Sequence, residues 1–144
     1  MRKERRDLDD SEKGFTLIEV MVVIIIIGLL SALVAPKFFK KVDKAKFNTT
    51  RQQIAILGSA LDDFRLDTGR YPTTAEGLSA LREKPEGLDT WDGPYLPKKV
   101  PGDAWGRPFV YSSPGEHGDY DLASYGNDGQ EGGENNDRDI NSWE

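Results

Sequence analysis

Apolar residues divide the chain into three stretches. Residues 1–14 are polar, with five basic and five acidic side chains. Phe15 to Ala35 is 21 residues of nearly unbroken apolar character, and no charge lies between Val20 and Pro36. At about 1.5 Å per residue, a helix of that length spans about 30 Å, the hydrocarbon core of a bilayer. A removable secretory signal has a shorter apolar stretch followed by a small-x-small cleavage site. Ser31-Ala32-Leu33-Val34-Ala35 matches such a site weakly, and helical patterning continues beyond it, so the segment reads as a retained anchor. Pro36 is expected to remove one helical hydrogen bond and kink the axis, and Gly28 is a second weak point.

Beyond Pro36 the pattern becomes amphipathic. Phe38, Val42, Ala45, Ile54, Leu57, Leu61 and Phe64 recur at three- and four-residue spacings, interrupted near residues 48–53. This predicts a helix to about Leu66, with Gly69 as its C-cap. Thr73 and Glu76 form a capping-box pattern that predicts a short helix over 74–82. Residues 83–100 read as loop. Phe109-Val110-Tyr111 and Tyr120 to Ser124 are strand candidates, joined by a Gly- and Pro-rich turn over 113–118. The resulting fold class is α+β: one long N-terminal helix, half membrane-length and half amphipathic, packed on a small antiparallel sheet of two or three strands.

Composition narrows the chemistry. The 144 residues carry 25 acids against 19 bases, a net charge of -6, which disfavours nucleic acid as a partner. There is no cysteine, so disulfides, thiolate nucleophiles and Cys-type metal sites are excluded. The single histidine, His117, lies in a Gly-flanked turn and reads as structural. No nucleophile–base pairing or phosphate loop is present, and the chain is not expected to be an enzyme. Charge is segregated: residues 37–51 hold six bases and one acid, whereas residues 116–144 hold nine acids and one base. A basic stretch beside a membrane segment is a common solvated anchor near headgroups.

Two features carry candidate function. Glu19 is an acid inside the apolar run, where a carboxylate costs roughly 2.5–3.5 kcal/mol on insertion scales unless it is paired or near the interface. Cutting the chain after Gly14 would create an amine at Phe15, one helical turn before Glu19, and a staggered neighbour could bring such an amine to this carboxylate. The second feature is the Gly-, Asn- and acid-rich segment from Tyr125 to Glu144. It reads either as a solvated acidic tail or as a loop closing on a hard cation such as Ca²⁺, which takes six to eight oxygens. Ile140 and Trp143 give it an apolar end that can dock, and Asp128 stands at one side of the loop with Asp137 and Asp139 at the other. The spacing is not that of an EF-hand.

Lys13-Gly14-Phe15-Thr16-Leu17-Ile18-Glu19-Val20-Met21-Val22-Val23 resembles the class III signal of type IV pilins and type II secretion pseudopilins. Tyr71-Pro72-Thr73-Thr74 with Gly77-Leu78, Asp103-Ala104-Trp105-Gly106, and Pro114-Gly115-Glu116-His117-Gly118 with Tyr120-Asp121 resemble the major pseudopilins of type II secretion. Ala104 stands where the family usually has Pro.

The resemblance implies a leader, residues 1–14, cut between Gly14 and Phe15 by prepilin peptidase, with methylation of the Phe15 amine. It implies a filament-core helix over 15–36 and a periplasmic domain over 37–144, anchored in the inner membrane. Glu19 would pair with the N-terminus of an adjacent subunit during assembly. The implied partners are further copies in a homopolymer, minor pseudopilins, an inner-membrane assembly platform with its ATPase, and the exported proteins. The implied function is a pseudopilus subunit that drives folded proteins through an outer-membrane secretin; the alternative is a type IV pilin for adhesion or motility. The implied cofactor is one Ca²⁺, with Asp128 and Asp139 as carboxylate ligands, Asp137 competing with Asp139, and Tyr125 and Glu131 offering backbone carbonyls.

Overall fold

The computed structural model describes residues 14–144, which divide into two compact units at residues 39 and 40. One helix, α1 (Leu17–Thr68), supplies secondary structure to both, and its assignment passes through Pro36. It ends two residues beyond the predicted Leu66. Gly69 takes φ 78° and its amide donates to the Arg65 carbonyl at 2.8 Å, the expected left-handed C-cap.

In the first unit the apolar segment of α1 has a mean hydropathy of 3.0 over its most apolar 18 residues, and none of that window is buried. Leu33 is 71% exposed and Phe38 61%. This is the surface expected of a segment whose covering comes from lipid or other chains.

The second unit has a core. Thr50, Ile54, Leu57, Leu61 and Phe64 are buried along one face of α1 at helical spacing. Leu78, Ala80, Leu81, Leu96, Phe109, Leu122 and Ile140 pack with them. The predicted stripe was therefore right from Ile54 to Phe64. Toward its start, Phe47 is half-buried against the core while Ala45 is exposed.

The capping box forms: the Thr73 amide donates to Glu76 Oε2 at 2.7 Å, and the Glu76 amide to Thr73 Oγ1 at 3.2 Å. The helix it was expected to open does not. Gly77, at φ 61° and ψ -167°, breaks the turn, and only a 3₁₀ segment, Leu78–Leu81, follows. The sheet is antiparallel in the order β1 (Val110–Ser112), β2 (Asp121–Ser124), β3 (Ile140–Asn141). Val110 pairs with Ala123 and Tyr111 with Leu122; Ala123 pairs with Asn141 and Ser124 with Ile140. β3 comes from the segment that could have been a solvated tail.

The pleat gives this sheet two different faces. Leu122 joins the helix-side core. Val110, Ser112, Asp121, Ala123 and Asn141 line a cavity on the other face. That second covering accounts for the burial of Ala123 alongside Leu122 and Ser124.

Candidate functional site

The N-terminal candidates lie at the start of α1. Gly14 and Phe15 precede the helix, and Phe15 is 86% exposed. The leader's other residues, 1–13, lie outside the described residues. Glu19 is engaged within its own chain: Thr16 donates to Glu19 Oε2 from both its amide and its hydroxyl, each at 2.8 Å, and the Glu19 amide reaches Thr16 Oγ1 at 3.3 Å. This is a second capping box, with Thr16 as the N-cap of α1. The pattern Thr-x-x-Glu was legible in the sequence, although the acid was read there only for its intermolecular role. Along the same unit Leu30, Ser31, Val34, Ala35, Phe38 and Phe39 form an open apolar notch of about 420 Å³.

The acidic C-terminal segment is folded back on the sheet. Tyr125, Glu131 and Asp139 line the cavity of about 270 Å³ on the outer sheet face, together with Glu116, His117 and Trp143. Gly132 donates its amide to Asp139 Oδ2 at 2.8 Å. Asp139 Oδ1 is buried and has no hydrogen-bond partner. Asp128 and Asp137 are placed differently. Asp128 is exposed and accepts the Gln130 amide at 3.1 Å in a local turn, while Asp137 Oδ1 accepts from Asn127 Nδ2 at 2.8 Å. Among the described residues no three acidic or histidine side chains converge as a ready cage. The cavity thus gathers three of the five predicted positions, and the outer two stand on the turns flanking them.

Donor chemistry nevertheless suits a hard cation. A buried carboxylate oxygen without a donor is costly, and Asp139 Oδ1 is such an oxygen, with Tyr125 and Glu131 lining the same cavity. All of these groups offer oxygen, the preference of Ca²⁺.

One side of the cavity is pinned by His117. Its ring lies flat on Trp143, with centroids 4.0 Å apart and planes 3° from parallel. Its Nδ1 lies 2.9 Å from Asp121 Oδ2, and the Glu116 and His117 amides also donate to that carboxylate. Burial raises the Asp121 pKa, but the His117 ring and these two amides outweigh it and hold the carboxyl below its ordinary value. His117 is therefore a structural bracket, as its turn context implied.

Sequence reading missed the network beneath the loop. Asp103 is buried; its Oδ1 accepts the Trp105 and Arg107 amides at 3.0 and 2.9 Å, and its Oδ2 accepts the Ser124 hydroxyl at 2.7 Å. Ser124 Oγ in turn accepts the Gly126 amide at 3.3 Å, and Thr50 Oγ1 accepts the Ala104 amide at 3.1 Å. Arg107 then reaches the Gly126 and Asn127 carbonyls at 2.6 and 3.0 Å. An Asp followed by Trp-Gly is a turn signal, but nothing local reveals that the turn is buried.

Comparison with known proteins agrees with this architecture. The family model "Type II secretion system (T2SS), protein G" matches residues 37–143, and the prokaryotic N-terminal methylation motif matches residues 10–35. Type II secretion system core protein G of Pseudomonas aeruginosa is 45% identical over 136 residues, covering 92% of this chain and 96% of its own length. That of Vibrio cholerae is 42% identical over 146 residues, covering 99% and 96%. A crystal structure of the major pseudopilin from the type 2 secretion system of enterohaemorrhagic Escherichia coli superposes with a TM-score of 0.59 at 37% identity, over 72% of this chain and 90% of that one. The methylation motif and the protein G model together span residues 10–143, and the chain belongs to the type II secretion protein G family, the major pseudopilins.

Proposed function

We propose that the chain, a structural subunit of the type II secretion pseudopilus, is cut at Gly14–Phe15, methylated on Phe15, and polymerised into a periplasmic filament that drives folded proteins through the secretin. The observation that carries this reading is that the apolar helix of the first unit is uncovered while the second unit has its own folded core. Before assembly the inner membrane covers that helix; afterwards neighbouring copies do. Head-to-tail contacts that do not close into a ring yield a filament. Glu19 serves as the register charge against a neighbour's N-terminal amine. Minor pseudopilins, the assembly platform with its ATPase, and the exported proteins are the further partners. The family match favours this reading over a pilin for adhesion or motility.

The same proposal places one Ca²⁺ on the C-terminal loop. Asp139 is the central carboxylate, Tyr125 and Glu131 contribute carbonyls, and Asp128 and Asp137 supply the outer oxygens. When bound, the ion neutralises clustered acids and cross-links the loop in a chain without cysteine. Support comes from the undonated Asp139 Oδ1.

The test is the intact mass of the full chain after expression with a prepilin peptidase. A product of residues 15–144 bearing one methyl group is expected. An uncut chain would leave Glu19 without its amine, and one cut near Ala35 would lose Glu19 itself; either refutes filament assembly by this route.

A further inference from the structure

The turn from Tyr125 to Gly129 is built around a side chain from elsewhere in the sequence. Arg107 donates from Nη1 to the Gly126 carbonyl and from Nη2 to the Asn127 carbonyl, at 2.6 and 3.0 Å. The guanidinium lies so close to Gly129 that a Cβ there would stand 2.7 Å from Nε, and Gly129 itself takes φ 71°. Its amide closes the turn on the Tyr125 carbonyl at 3.0 Å. Arg107 is fixed from behind. Its amide donates to Asp103 Oδ1 at 2.9 Å, and its carbonyl accepts the Asp103 amide at 2.8 Å. Asp103 also holds Ser124, whose hydroxyl accepts the Gly126 amide. The two clamped peptides are Gly126–Asn127 and Asn127–Asp128.

A planar guanidinium presents two parallel N–H groups in a rigid fork, which an ammonium cannot. The fork can therefore hold two successive carbonyls at once and fix the direction of the chain through them. Coulomb's law acts in the opposite sense: a fixed positive charge beside a cation site lowers the site's affinity. The side chain is worth its charge only if the geometry it imposes saves more ordering cost than the repulsion adds.

We infer that Arg107 is the positioning residue of the C-terminal cation site, a fork that pre-forms the Tyr125–Asp128 turn so that a divalent ion meets ligands already in place. This rests on the Ca²⁺ reading given above. It gives a definite sign: removing Arg107 weakens Ca²⁺ binding although it removes a like charge. Lysine, with the charge but not the fork, gives an intermediate loss.

The test is calorimetric titration of Ca²⁺ into the full-length chain in detergent micelles, for wild type, Arg107→Lys and Arg107→Ala, well below each protein's melting temperature. Hydrogen exchange at the Gly129 amide is followed in parallel in EDTA. The expected result is one site in wild type, Ca²⁺ affinity about ten- to hundred-fold weaker in Arg107→Ala, a smaller loss in Arg107→Lys, and faster Gly129 exchange in both variants. A purely structural role would lower melting temperatures and leave the dissociation constant of the folded chain unchanged, which overturns the inference. Equal or tighter binding in Arg107→Ala overturns it too and leaves the cation site standing. No saturable binding to wild type removes the site, and the role of Arg107 with it.

Discussion

Replacing Asp103 tests whether the buried network, rather than the sheet, fastens the second unit. Its two carboxylate oxygens accept three hydrogen bonds, from the Trp105 amide, the Arg107 amide and the Ser124 hydroxyl. In Asp103→Ala all three donors lose their acceptor in a site where the Asp103 residue is only 6% exposed. An unsatisfied buried donor costs about 1–3 kcal/mol. Some water entry and relaxation are inevitable, so the sum is about 3 kcal/mol rather than the upper limit of the three. Asp103→Asn keeps an acceptor for the two amides and turns an N–H₂ toward Ser124, whose hydroxyl can accept it, so its cost is about 1 kcal/mol. For a domain near 100 residues, 1 kcal/mol corresponds to about 4–8 °C in melting temperature. Thermal unfolding of the full chain in micelles, followed by near-ultraviolet circular dichroism, should therefore place Asn about 4–8 °C and Ala more than about 12 °C below wild type. If both variants melt within about 2 °C of wild type, the network is not what holds this turn, and the reasoning from burial and donor count is wrong.

Phe64→Ala removes a fully buried ring packed edge-on against Tyr95 at 5.6 Å between centroids; a loss of about 3–5 kcal/mol is expected in chemical denaturation, and less than about 1 kcal/mol would place the core elsewhere. Glu76 is held at a pKa of about 2 by the two hydrogen bonds from Arg70, which outweigh burial, and by the Thr73 amide. Its folded pKa is depressed, so the contribution is whole above pH 4.5 and fades as pH falls toward 2. Glu76→Gln should be less stable than wild type at neutral pH, with the gap narrowing as acid-unfolding curves are taken from pH 4.5 down through pH 2; a gap as wide at pH 2 as at pH 7 refutes the assignment. Asp128→Ala should abolish the rise in melting temperature that Ca²⁺ gives wild type, and of Asp137→Asn and Asp139→Asn the second should lose more of that rise. A Ca²⁺ response in Asp128→Ala equal to wild type would remove this residue from the ligand set.

Legibility in the sequence followed the range of the interaction. The apolar run was readable because length and hydropathy are local patterns, whereas Thr16-x-x-Glu19, equally local, was not read as a cap. The helix face from Ile54 to Phe64 and its stop at Gly69 were readable for the same reason. The Thr73–Glu76 box was also read correctly, but the helix after it failed because Gly77 adopts a conformation that ends the turn. β3 was invisible as a strand, since two residues, Ile140 and Asn141, carry no alternation to detect. The Asp103 and Arg107 network was missed because its partners, Ser124, Gly126 and Asn127, lie far along the chain. The acids of the loop could be counted in advance, but their division between cavity and flanking turns could not. Asp128 accepts from Gln130 two residues on, whereas Asp137 and Asp139 accept from Asn127 and Gly132, ten and seven residues away, pairings that no local pattern marks.

The distribution of contacts explains why an ion would matter in this chain. The loop between β2 and β3 is fastened by Arg107 on two carbonyls, by Asn127 on Asp137, by Gly132 on Asp139, and by Arg138 over the Phe47 ring at 4.1 Å. Most of these lie at the surface, where each polar contact contributes about 1 kcal/mol or less. Ordering each loop residue costs about 1 kcal/mol or more of backbone entropy. The balance is therefore close, and two-residue β3 with its buried Ile140 has little to add. A cysteine-free chain cannot offset this with a disulfide. A ligand that binds only the closed loop stabilises it by about 2.7 kcal/mol at a hundred times its dissociation constant, enough to decide so even a balance. On the proposed Ca²⁺ reading, the Asp139 carboxylate costs stability when alone and supplies it when paired, so closure of this loop would depend on a divalent ion.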